Sequence, residues 1–200
     1  LDLGIVEDAP DQLTITLRFS GEAFLADIDL SSVSNTDDSA SSRLYDELRA
    51  VPAAVLAERL TSSFAALAGR VSVMSAGRPL SLELQAVDVA EMADLTLARD
   101  TTLTLAGGLP KAGEAISVQW QPSMGALLIR QMGPGSDPEY SDYLPNGGTS
   151  QAFGLNHAQT VPLASVIGTY IHSGIIHIIP AGRDHILFVL GLLAFGLSGR

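Results

Sequence analysis

Residues Thr101–Met132, TTLTLAGGLPKAGEAISVQWQPSMGALLIRQM, decide how the fold is read. Three runs within it, Thr101–Ala106, Ala115–Trp120 and Ala126–Met132, alternate apolar and polar side chains. Alternation sends successive side chains to opposite faces, the period of a half-buried strand. Gly-Gly-Leu-Pro-Lys-Ala-Gly and Pro-Ser-Met-Gly stand between the runs, and such residues end one pleat and start the next. Toward the N-terminus the same period returns in Leu80–Val89 and Val71–Ser75, which flank Ala-Gly-Arg-Pro, and in QLTITLRFS, residues 12–20. Between residues 20 and 71 the period lengthens. Arg43–Ala50 and Pro52–Leu67 read as helices, with Pro52 suited to a first helical position and Val55, Leu56, Leu60, Phe64 and Leu67 recurring at helical spacing. Gly69 stops the second. Short strands at this spacing predict a mainly β fold, an antiparallel immunoglobulin-like β-sandwich with a helical insertion. Trp120 reads as a core residue. Asp27–Ser42 reads as a solvated Ser/Asp loop that caps the helix at Arg43, and residues 133–149 as a Gly/Pro-rich loop.

Charge divides the chain. It has 200 residues, 22 acidic and 11 basic, for a net charge of −11. All but Asp184, Arg183 and Arg200 of these fall in residues 1–160, and Tyr143 through Gly182 carries no Asp, Glu, Lys or Arg. This divides the chain into an acidic part, 1–160, and an apolar tail, 161–200. The acid excess argues against nucleic acid as a partner, because phosphate wants a basic face. The absence of cysteine excludes disulfides, thiolate zinc sites and cysteine nucleophiles. No GxSxG, P-loop or dinucleotide fingerprint occurs, so no enzyme activity is expected. The acidic loop holds Asp27, Asp29, Asn35, Asp37 and Asp38, but it lacks the glycine and the spacing of a calcium loop.

The tail is where chemistry concentrates. It reads VPLASVIGTYIHSGIIHIIPAGRDHILFVLGLLAFGL, with His172, His177, Asp184 and His185 amid apolar residues. Ionisable groups in lipid are costly and face a bundle interior, a cavity or a partner. Imidazole and carboxylate are ordinary ligands of nickel, cobalt, zinc or copper. Pro180 and Gly182 interrupt the helix, which puts Asp184 in the first turn of a new one. The apolar run Ile186–Leu197 is shorter than the roughly 20 residues a span needs, and it reads as the opening of a membrane domain. Two bland readings stand beside these: a buried C-terminal helix, and an Asp184 that caps a helix and bonds a histidine without metal. The chain opens at Leu1 with no basic and apolar leader, so no signal peptide is read here.

The run GIIHIIPAGRDHILFVLGLL, Gly174–Leu193, resembles the signature of the HupE/UreJ family of bacterial membrane proteins. DTTLTLAGGLP and GALLIRQ follow more loosely the layout of a branch with a large extracytoplasmic N-terminal domain. The resemblance implies an inner-membrane protein with its N-terminal domain in the periplasm and the bilayer as partner. It also implies transport or handling of nickel or cobalt. His177, Gly182, Asp184 and His185 match by type the family's His-Pro-x-x-Gly-x-Asp-His-x-x-x-Met. The interval after His177 is one residue longer, Pro180 is not adjacent to the histidine, and Val189 stands in the methionine's place. The expected metal ligands are His177, Asp184 and His185, with His172 as a fourth. Two alternatives remain. One is a membrane-anchored module whose β-domain recruits a periplasmic protein. The other is an intramembrane hydrolase using metal-bound water, disfavoured by the lack of a nearby glutamate base.

Overall fold

A computed structural model describes residues 1–155 apart from 10, 11, 93, 96, 112 and 133–137. The chain divides into two compact units, Leu1–Gln159 and Thr160–Arg200, and the described residues all fall in the first. Its elements run β1 (Asp2–Ala9), β2 (Gln12–Phe19), α1 (Gly21–Leu25), α2 (Ser42–Arg49), α3 (Ala53–Ser62) and α4 (Phe64–Ala68). They continue with β3 (Val71–Ser75), β4 (Arg78–Pro79), β5 (Leu82–Val89), β6 (Thr101–Gly108), β7 (Ala115–Trp120), β8 (Leu127–Met132), β9 (Pro138–Leu144), β10 (Gly148–Thr149) and β11 (Phe153–Gly154).

The strands make two open sheets. The larger has the order β5-β6-β2-β1-β8-β9, and the smaller β10-β7-β3-β4 with β11 also on β7. The smaller sheet is antiparallel throughout. The larger is mixed, which corrects the expectation of an antiparallel immunoglobulin-like sandwich. β1 runs parallel to β8, Asp2 opposite Leu128 and Val6 opposite Met132. Alternation within a strand marks its buried face but says nothing of its neighbour's direction, so this pairing had no local signal. The Gly/Pro-rich stretch 133–149 likewise hides β9, antiparallel to β8. Pro138 begins this edge strand, a position where a missing N–H costs no ladder bond.

The apolar alternation fills one face of each sheet. Leu3, Ile5, Leu13, Ile15, Leu17, Leu103, Leu105, Leu127 and Ile129 are buried on the larger, and Val71, Val73, Ile116, Val118 and Trp120 on the smaller. The single tryptophan is a core residue, and its indole N–H donates to the Gly125 carbonyl at 2.8 Å.

The helical insertion lies between β2 and β3. α1, absent from the sequence reading, is too short to show a period; Ser20 caps it, its hydroxyl oxygen accepting from the Ala23 amide. Pro52–Leu67 is not one helix. Pro52 precedes α3 in extended backbone, and the helix tightens at Ser63, whose amide donates to both Arg59 and Leu60 carbonyls. Leu67 of α4 is buried, and α3 buries Ala53, Leu56 and Leu60 and packs on β5.

Candidate functional site

The four expected metal ligands, His172, His177, Asp184 and His185, lie outside the described residues, as do the expected membrane helix segments of 161–200. Among the described residues no group of three or more His, Cys, Asp or Glu is placed to hold a metal ion. The acidic loop shows why. Asp27 pairs with Arg70, Asp29 accepts from the amide and hydroxyl of Ser31, and Asn35 accepts from the Asp37 amide. Asp27, Asp29 and Asn35 thus each commit an oxygen to a partner within the domain, Asp29 and Asn35 in Asx turns. The Ser31 bonds hold the Asp29 carboxyl below the ordinary aspartate value. The loop also does not cap α2 as expected: Ser41, before it, makes no side-chain capping bond.

The insertion and the β5–β6 connection build a second arrangement. Arg99 and Glu22 are each 1% exposed at the side chain, and Arg99 Nε donates to Glu22 Oε1 at 2.8 Å. The same guanidinium donates to the carbonyls of Val51 and Leu48, closing the C-terminal end of α2. Arg49 Nη2 donates to the Leu97 carbonyl at 2.6 Å, and the Ala90 amide to the Asp100 carbonyl closes the loop at its base. Charges without solvent need this degree of bonding, yet Glu22 Oε2 and Thr101 Oγ1 have no hydrogen-bond partner. The cluster ties the loop 90–100 to the helices and leaves Leu95 and Leu97 57% and 64% exposed. Beside it an open groove of about 460 Å³ is lined by Leu25, Leu44, Leu48, Glu58, Arg59 and Ser62–Ser63. Sequence reasoning missed Glu22 and Arg99. Nothing local marks a charge that will be buried.

A third cluster fastens the end of the described chain. Tyr140 stacks on Phe153 with ring centroids 4.0 Å apart, and its hydroxyl donates to Asp142 Oδ2 at 3.0 Å. The same carboxylate accepts from the amides of Tyr143 and Gln151, and Gln131 Nε2 donates to the Leu155 carbonyl. Burial, and then the Asp142 charge, push the Tyr140 hydroxyl well above the ordinary tyrosine value. Phe153 and Gly154 pair with Ile116 and Ala115 on β7.

Among the described residues no helix is long and apolar enough to cross a membrane. No curated protein matches the chain. A family model described as HupE / UreJ protein matches residues 152–199. The match contains Gly174–Leu193 and all four expected ligands, and its first residues are those held by β7 and Tyr140. The looser likeness over Asp100–Pro110 and Gly125–Gln131 falls outside it. The C-terminal segment 152–199 is thus similar to HupE / UreJ proteins, and a separate folded β-domain precedes it in sequence.

Proposed function

We propose that this chain belongs to an integral membrane protein that transports or handles a divalent transition metal of the nickel or cobalt class. The observation that carries the reading is the match over residues 152–199, which includes His172, His177, Asp184 and His185. The family is associated with nickel and cobalt transport, and its proteins are transporters, not enzymes. The metal is cargo. Neutral imidazoles of His177 and His185 and the carboxylate of Asp184 are the donors, and His172 is a fourth. Such a set binds firmly enough to strip water from the ion, and loses it again when a histidine is protonated. Pro180 and Gly182, which fall within an apolar run of the sequence, support this placement, because transporters put ion sites where helices break. The inner membrane is the proposed location, with the β-domain in the periplasm.

The test is metal binding by the full-length protein in detergent or nanodiscs. His177→Ala with His185→Ala should abolish stoichiometric nickel or cobalt binding in calorimetry. Unchanged binding in the double variant removes the ligand assignment.

A further inference from the structure

We propose that the groove between α1, α2 and α3, together with the Leu95–Leu97 loop tip, docks a separate protein through a segment of apolar side chains flanked by Lys or Arg. Two features on one part of the domain carry this. Leu95, Leu97 and Leu44 are large apolar side chains left in water, at 57%, 64% and 44% exposure. They are not on a loose tip: Arg99 and Arg49 bind the loop backbone to α2, which itself supplies Leu44 and Leu48 to the groove. A loop fastened through its backbone spends less ordering entropy on binding than a free one.

Charge selects the occupant. Residues 21–63 hold eight acids against three bases, and residues 90–100 three against one; with Asp27 paired to Arg70 and Asp100 to Arg18, five excess negative charges remain on these two segments. A second copy would bring the same field and repel, and so would anionic lipid. A basic partner is attracted and steered, while the leucines provide the apolar contact that fixes it. This inference is independent of the metal site.

The probe is a labelled 18-residue peptide of Leu and Lys at helical spacing. It is titrated onto the full chain in zwitterionic nanodiscs with empty discs subtracted. The parent should bind it, and Leu95→Ser with Leu97→Ser should weaken binding about tenfold. Tyr143→Ser, an exposed aromatic on β9, should leave binding unchanged. Replacing the peptide's Lys by Glu, or its Leu by Ser, should abolish binding. Trp120 emission checks that each variant is folded. Equal binding by parent and leucine variant, or equal binding of the Glu or Ser peptide, overturns the proposal. So does self-association of the parent, or its attachment to anionic vesicles, that the leucine variant loses.

Discussion

Arg99 joins three places that are far apart in sequence: the Glu22 carboxylate on α1, the carbonyls that end α2, and its own loop before β6. Removing the guanidinium leaves the Glu22 carboxyl buried without its ion-pair partner. Arg99→Ala should cost about 3–5 kcal/mol of unfolding free energy. Replacing both partners by apolar residues, Glu22→Leu with Arg99→Met, should recover much of that loss. Urea unfolding followed by the emission of Trp120, the chain's single tryptophan, reads this domain within the whole chain. A shift below about 1 kcal/mol for Arg99→Ala would contradict the account. Tyr140 makes a different statement. Its hydroxyl titrates above the ordinary value of 10.0, so the folded state keeps the proton longer than the unfolded state does. Stability from this group is complete below pH 10 and is lost as pH rises toward the folded value. Trp120-monitored unfolding should therefore weaken above pH 10, and Tyr140→Phe should remove that part of the slope. At neutral pH the same variant should cost about 1 kcal/mol for the lost bond to Asp142.

Turns supply the contrast at the level of elements. Gly147 has φ +72° and a Cβ there would lie 2.6 Å from the Pro122 backbone nitrogen, whereas Gly77 has φ +75° and open space around it. Gly77→Ala should cost only the left-handed strain, about 1 kcal/mol. Gly147→Ala must also push β10 from the Trp120–Pro122 backbone and should cost about 2 kcal/mol or more. Urea midpoints of the two variants decide this; equal midpoints would mean that the contact carries no energy. The elements readable beforehand were those with enough length to show a period. Val71–Ser75 and Ala115–Trp120 have the expected bounds, and Leu82–Val89, Thr101–Gly108, Leu127–Met132 and Ser42–Arg49 differ by a residue or two at an end. α1 has five residues, too few for a period, and β9 carries polar side chains between Tyr140 and Leu144 in a Gly/Pro-rich setting. β1 was also missed, though Leu3 and Ile5 alternate with half-buried neighbours in its first half.

At the scale of the molecule, an acidic β-domain precedes a segment that matches HupE / UreJ protein over residues 152–199. Because the core of the first unit is filled by its own strands and helices, His177→Ala with His185→Ala should leave Trp120-monitored unfolding unchanged while removing metal binding. A shifted unfolding curve would show that the histidines support the fold. The β content, the helical insertion, the core role of Trp120 and the likeness of the tail to HupE / UreJ protein were all legible in the linear order of residues. Each is written in neighbours along the chain: a period of two, a helical spacing, a run of apolar residues around His and Asp. The parallel β1–β8 pair, the burial of Glu22 with Arg99, and the fastening of the Leu97 backbone to α2 through Arg49 were not. These join residues dozens of positions apart, and their free energy exists only once the sheet order has brought those residues together.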